Sequence, residues 1–443
     1  MRGGPSGGAS GAAPEPIPFD PASGPAAARD PVPVSAPAMP PRVGRLRQTF
    51  IALEERDFRI FWLGQLVSVT GTWMQTVAQG WLVLQLTGSP FVLGLAAAAR
   101  SVPVMLLVFP AGIAADRFDR RKIVIATNVV AALASALLGF LAITGQVNVP
   151  IILGLAALLG VTNAFEMPAR QSYVSELIGR QHLANAIALN SLLFNAARVV
   201  GPAIAGILVA LVGPGWAFLL NGISFVPVIA GLLLISAVHV PRAAVAARSA
   251  LPEVLRYLRS EPRISLLLGL LAAQTVFASG QFVLGPALAE DLGQGAEGLG
   301  VMLAASGAGA VVGGIRLAAT SNRSGRWRQL LWAGLALGLG LAAVGLTSSY
   351  PITLLCFVVS GWGTVTFNAS TNTLIQSIVP DRLRGRVLSL YVLMLLGLMP
   401  VAGLLMGALA TAVGSAEAIA IGGVLYTLAV VAAFVLAPPL RRL

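Results

Sequence analysis

From about residue 58 onward the chain alternates long apolar runs with short polar breaks. Runs of about 20 residues are long enough to cross a ~30 Å hydrocarbon layer. They fall at about 58–86, 90–113, 122–143, 149–169, 186–212 and 214–236, then at about 263–288, 297–318, 328–347, 351–372, 386–412 and 416–437. The pattern predicts an all-α membrane protein of twelve transmembrane helices in two six-helix halves. Two regions break it. Residues 1–47 are rich in Gly, Ala and Pro (Pro14, Pro16, Pro18, Pro31, Pro33), lack apolar periodicity and predict a disordered tail. Residues 237–262 link the two sets. Across 249–263, Leu251, Val254, Leu255 and Leu258 recur at helical spacing against Glu253, Arg256 and Arg259. That amphipathicity predicts a helix on the membrane surface, with a solvated linker helix as the equal alternative. The expected division is therefore 1–47, 48–236, 237–262 and 263–443.

The two sets also echo one another. The stretch 170–187 precedes the fifth run and 371–388 precedes the eleventh, about 200 residues later. Both carry a polar helix end, an apolar pair, a Gly or Pro break, a basic stretch and a new apolar helix. Parallel six-helix repeats around a central site are a transporter architecture.

Composition agrees with a membrane chain. Hydrophobic residues make up 56% and charged residues only 10%, with a mean hydropathy of +0.84. Soluble domains carry about a quarter charged residues. The net charge of +12 does not point to nucleic acid, because a basic nucleic-acid binder is not this apolar. Basic side chains instead mark the cytoplasmic loops. Arg42, Arg45 and Arg47 close the tail, which lacks the apolar core of a secretory signal. With that end inside, the inner loops receive Arg117, Arg120, Arg121, Lys122, Arg170, Arg180, Arg242, Arg248, Arg256, Arg259 and Arg263. Further along they receive Arg323, Arg326, Arg328, Arg382, Arg384, Arg386, Arg441 and Arg442. The outer loops at 85–90, 145–150, 290–298 and 348–351 hold no Lys or Arg, but do hold Glu290, Asp291 and Glu297. Both termini are expected in the cytoplasm, and the chain is expected as a monomer in the cell's inner membrane. Cys356 has no partner cysteine, and His182 and His239 are far apart, so neither a disulfide framework nor a metal site is expected. No phosphate-binding loop or nucleophile–base constellation appears, so no cofactor and no enzymatic activity are expected.

The loop between the second and third runs reads Gly112-x-x-x-Asp116-Arg117-x-Asp119-Arg120-Arg121. It resembles the loop signature of the major facilitator superfamily, with Asp119 where that pattern usually has Gly. The resemblance covers roughly 50–437. Phe58-Arg-Ile-Phe-Trp-Leu-Gly-Gln, Trp81-Leu-Val-Leu-Gln-Leu-Thr-Gly-Ser, Pro168-Ala-Arg-Gln and Arg198-Val-Val-Gly-Pro202-Ala-Ile-Ala-Gly206 resemble the bacterial efflux branch that includes enterobactin exporters and macrolide efflux pumps. The resemblance implies the major facilitator fold and export of a drug-like amphiphile or a siderophore by alternating access, with proton antiport. An importer of the same fold and a non-transporting membrane sensor or partner subunit are the other readings. It also implies that Asp116 and the arginines act as a gate-side charge relay holding the halves closed on the cytoplasmic side in the outward-open state.

Several residues inside the apolar runs are candidates for chemistry. Arg100 and Arg198 fall mid-helix, where a charge costs at least ~2.5 kcal/mol unless it finds a partner or water. They are expected to contact an anionic substrate or a protonatable acid, or else backbone carbonyls and Asn195. Glu166 is the acid expected within the membrane. It is either a proton carrier, since burial raises a carboxyl pKa, or the (i, i+4) partner of Arg170. The resemblance points to the first, fourth, seventh and tenth helices for the substrate cavity. Their polar and aromatic residues include Gln65, Trp73, Gln75, Thr76, Gln79, Asn163, Gln274, Gln281, Trp362, Asn368 and Asn372. Gln65, Trp73 and Thr76 are expected near one face, as are Gln274 and Gln281 at seven apart. Gly201, Pro202 and Gly206, with Gly94 and Gly112, are expected to allow close helix approach and bending.

Overall fold

The computed structural model describes Gly3 and residues 50–178, 182–235, 251–319 and 326–436. The expected tail, most of the linker, and Arg180, His239, Arg242, Arg248, Arg323, Arg441 and Arg442 lie outside the described residues.

The membrane region is helical, as its hydropathy requires. In lipid the backbone must satisfy its own hydrogen bonds, and a helix does so within one segment. In order come α1 (Arg56–Thr87), α2 (Pro90–Arg117), α3 (Arg120–Ile143), α4 (Val149–Ile178), α5 (Leu183–Val212) and α6 (Pro214–Leu234). Then follow α7 (Leu251–Ser260), α8 (Pro262–Phe277), α9 (Gly295–Ala319), α10 (Arg326–Val344), α11 (Tyr350–Ile378), α12 (Asp381–Val392), α13 (Met399–Val413) and α14 (Ser415–Leu436). Among the described residues, eleven segments are long and apolar enough to cross a membrane. The long helix α1 falls short of that count in hydropathy, not length. It has 32 residues, but Gln65, Ser68, Gln75 and Gln79 are buried along it. Its end is local chemistry: Gly88 takes a left-handed conformation (φ 57°), its N–H closing on Leu84 O, and Pro90 opens α2.

The structure departs from the expected spans in three places. First, α4 and α11 run about two turns past their expected ends, to Ile178 and Ile378. Pro168 lies inside α4 and does not stop it; neighbouring helices can satisfy the carbonyl a membrane proline frees. Second, the run expected at 263–288 is not one helix. It ends at Phe277 and resumes as two short helices, Gly280–Val283 and Gly285–Asp291. Third, the run expected at 386–412 is interrupted by a π turn, Leu393–Gly397, ahead of Pro400.

Packing follows a recurring pattern. In the first set α2 packs on α4, and α3 on α4 and α6. In the second, α9 packs on α11, and α10 on α11 and α14. The sets meet along two antiparallel seams, α2 on α13 and α5 on α9. Both seams are built from glycine. A Cβ on Gly403 would stand 2.8 Å from Gly94 O, and one on Gly407 would stand 2.9 Å from Pro90 O. At the other seam, a Cβ on Gly300 would stand 2.7 Å from Pro202 O and 2.8 Å from Gly206 Cα. Small residues let backbones approach this closely, which is how helices associate in lipid without a hydrophobic drive. Large apolar side chains such as Leu133, Phe140, Leu211, Leu233 and Trp332 face outward.

The linker helix α7 is tied down. Glu253 accepts from Arg382 at 2.9 Å and from Arg386 at 2.6 Å, both on α12. Val254 is buried, and Ser265 Oγ donates to Leu258 O at 2.6 Å. Just after α7, Arg263 grips Glu261 through two hydrogen bonds (2.7 and 2.9 Å) and holds that carboxyl below its usual pKa.

Candidate functional site

The loop between α2 and α3 is a clamp inside the first set. Asp119 caps α3 by accepting from Lys122 N at 3.3 Å. Arg120, the first residue of α3, is buried; its Nε donates to Ala115 O at 3.0 Å and its Nη1 pairs with Glu176 on α4. Its Nη2 lies 3.7 Å from Asp116. Arg121 reaches Leu233 O at the end of α6 at 3.0 Å. Four helices, α2, α3, α4 and α6, are thus joined at one end. The gate relay of Asp116 and the arginines is expected of the outward-open state; in this conformation their contacts stay within the first set. Asp116 is 61% exposed and pairs with Arg120, and Arg117 is exposed. Among the described residues neither bonds to α8–α14. Gly112 leaves open space where a side chain would project.

Two partly buried arginines share one strip of α5. Arg170, on α4, lies 3.2 Å from Glu166 one turn earlier and donates to Gln65 Oε1 at 3.5 Å. Its guanidinium sits over the Phe194 ring of α5, 4.6 Å from the centroid. This cluster ties α4 to α1 and α5, and it places Arg170 inside a helix rather than in the expected loop. Of the two readings of Glu166, the pair with Arg170 is the one this structure shows. One turn beyond Phe194 on α5 stands Arg198. It lies over the Trp73 ring of α1 at 5.6 Å and the Phe282 ring of the short helix Gly280–Val283 at 4.8 Å. Its Nε is buried without a hydrogen-bond partner, and Asn195 donates to Ser191 O instead. Arg198 therefore joins both sets through aromatic rings and has no hydrogen bond or ion pair with any described residue. Arg100, mid-way along α2, has none either; its carbonyl packs against Gly160 of α4.

The remaining cavity candidates divide. Trp73 lies against Arg198, while Thr76 is exposed and bonds back to Thr72 O at 2.9 Å. Gln65 turns to Arg170, and Gln75 accepts from Asn221 of α6 at 2.6 Å in a buried network with Ser135 and Ser224. Gln75 is therefore a packing residue. Asn163 is exposed three residues before Glu166. The break after Phe277 undoes the seven-residue argument for Gln274 and Gln281, because a common face needs a continuous helix. Gln281 accepts from Ser360 of α11 at 2.7 Å, and Gln274 is buried with its Oε1 unpartnered. Trp362 carries the Arg316 guanidinium 5.7 Å from its ring centroid. Asn368 accepts Tyr391 Oη at its backbone carbonyl, leaving its own Oδ1 buried without a partner. Gly201 packs against Trp73 and Thr70 of α1, and Pro202 and Gly206 lie at the α9 seam.

Sequence reasoning missed Glu176, Phe194, Phe282 and Arg316. Glu176 was within reach, since the repeat stretch 170–187 contains it; ending the fourth helix at 169 hid it. Phe194 and Phe282 carry no signal of their own among so many apolar residues. Among the described residues no cluster of three metal-binding side chains occurs.

A bundle of apolar helices with arginines, glutamines and a carboxylate turned inward is the build of a membrane transporter. The chain belongs to the transmembrane secretion effector family of the major facilitator superfamily, whose model matches residues 47–442. It is 29% identical over 398 residues to the multidrug efflux pump Tap of Mycolicibacterium fortuitum, covering 85% of this chain and 95% of that one. It is 25% identical to the staphyloferrin A transporter of Staphylococcus aureus (83% and 92% covered) and 28% identical to the enterobactin exporter EntS of Shigella flexneri (75% and 80%). Solved structures share the fold. The nucleoside transporter NupG superposes with a TM-score of 0.70 at 11% identity, over 86% of this chain and 99% of that one. A bacterial homologue of the lysosomal transporter Spinster, inward-facing and occupied, gives 0.67 at 17% identity, over 90% and 98%. The family and these relatives are transporters rather than enzymes, and this is a multi-pass membrane protein of that kind.

Proposed function

We propose that this chain exports a small molecule, a drug-like amphiphile or a siderophore, by alternating access and in exchange for protons. It does so as a monomer in the inner membrane with both termini in the cytoplasm. The domain plan is the one expected from hydropathy: a tail at 1–47, one six-helix half at 48–236, a linker at 237–262 and a second half at 263–443. On this reading α1 is the first of twelve spans, and the break after Phe277 falls within the seventh. The observation that carries the reading is the pair of glycine seams. Six helices onward, α2 corresponds to α9 and α5 to the α12–α13 pair, so the two seams exchange under the repeat. Two halves that touch by the same pair of helices can rock about them. The seams close near Gly94 and Gly206, away from the Asp116 loop, while Gly112 and Gly314 face open space at the loop end. This supports an inward-open state. Named relatives that pump drugs and export enterobactin support the direction and the substrate range.

In this cycle Glu166 is the proton carrier, released from Arg170 when it is protonated. Asp116 forms its gate contact in the outward-open state, which is absent from this conformation. The test is transport into inverted vesicles against a panel of drugs and siderophores, with and without an uncoupler. Accumulation that collapses with the uncoupler is expected; no accumulation of any compound overturns export. In the same vesicles Glu166→Gln is expected to flatten the pH dependence of efflux, and a profile matching the unaltered protein removes Glu166 from coupling. Asp116→Asn is expected to abolish transport with membrane insertion intact; normal efflux by that variant removes the gate role.

A further inference from the structure

Arg198 differs from the other inward-facing arginines in what surrounds it. Arg120 has Glu176 and a backbone carbonyl, and Arg170 has Glu166 and Gln65. Arg198 has the Trp73 and Phe282 rings. An aromatic face stabilises a cation but accepts none of the five directional N–H bonds of a guanidinium. Its Nε is buried and unpartnered, and among the described residues no acceptor bonds to its guanidinium. The elements that form the cage supply no counter-charge. Beyond Asp57 at its foot, α1 holds no acid; α5 holds none, and neither does 262–289. Glu166, one cluster away, is engaged by Arg170. Among the described residues Arg100 also lacks an acceptor, but no ring stacks on it.

We propose that Arg198 binds the acidic group of an organic anion, a carboxylate or a comparably planar oxyanion, whose apolar body lies against Trp73 and Phe282. A guanidinium fork matches a planar oxyanion bidentately, and flanking rings suit an aromatic or flat apolar body. The site lies where the two sets meet, since Trp73 and Arg198 belong to the first and Phe282 to the second. The anion therefore touches both, and its arrival competes with the aromatic contact that joins them. This deepens the export reading by naming the chemical class carried.

The test uses the full chain in nanodiscs and three probes with one ring system: 2-naphthoate, 2-naphthylmethylammonium and 2-naphthamide. Saturable binding of the naphthoate is expected, with the cation and the amide at least about tenfold weaker. Arg198→Gln is expected to weaken the naphthoate by roughly ten- to a hundredfold, the range of a charge-assisted hydrogen-bonded pair, and to leave the amide unchanged. Equal binding of the three probes, or naphthoate binding untouched by Arg198→Gln, overturns the site. Should Arg198→Gln not insert, Arg198→Lys decides: it keeps the charge and loses the fork, so a several-fold loss for naphthoate alone is expected, and no loss overturns the site. Naphthoate binding without vesicle transport would refute the export reading and leave the site standing. Transport that Arg198→Gln leaves intact for every anionic compound would do the reverse.

Discussion

Arg170 and Arg198 lean on neighbouring turns of the same helix face, Phe194 and then Arg198 itself along α5, yet they are kept in opposite ways. Arg170 is held by a carboxylate, an amide and one ring; Arg198 is held by two rings and no acceptor. A paired buried charge contributes to the fold chiefly because removing either partner strands the other. An unpaired one contributes little to the fold that a neutral side chain could not replace. The two sites therefore hold a charge by different means within a few residues of each other.

Substitutions can break that contrast in graded steps. The largest effect is expected from Arg170→Ala, which leaves Glu166 and Gln65 without their partner in a partly buried place. A loss of about 3 kcal/mol is expected, read as a lower midpoint in thermal unfolding in detergent. Removing both charges together, Glu166→Ala with Arg170→Ala, is expected to cost less than Arg170→Ala alone; equal or greater cost in that cycle would show that the pair is not what holds Arg170. A smaller effect is expected from Arg198→Met, within about 1 kcal/mol of the parent in the same unfolding assay, because no ion pair is lost and apolar volume is kept. A loss as large as that of Arg170→Ala would mean that Arg198 is structural after all. The smallest is Glu253→Gln on α7, where both arginine partners are exposed: about 0.5 kcal/mol at low salt, vanishing at high salt.

The sequence made the helical build and most of the span positions readable, because lipid imposes a hydrophobic length. It was less informative wherever a partner decides the outcome. The fourth apolar run reads as ending at 169, but α4 continues to Ile178, and only that extension brings Glu176 to Arg120. The run at 263–288 reads as one span by hydropathy, yet Ala278 and Ser279 interrupt it, and with it the shared face of Gln274 and Gln281. Trp73 and Arg198 were both visible as unusual residues; Phe282, which completes their cage, was one phenylalanine among 17. The gate role of Asp116 rests on family likeness, and here that residue pairs with Arg120 inside its own set.

The π turn at Leu393–Gly397 sets how far a pull on the linker can travel. Glu253 grips α12 on one side of it, and the glycine seam grips α13 on the other. A widened turn slackens the ladder of i to i+4 bonds. The eleventh apolar run is accordingly two short levers sharing a joint rather than one stiff rod. One lever is tied to α7 and the other is seated on α2, so the two membrane faces of this run are joined only through the turn.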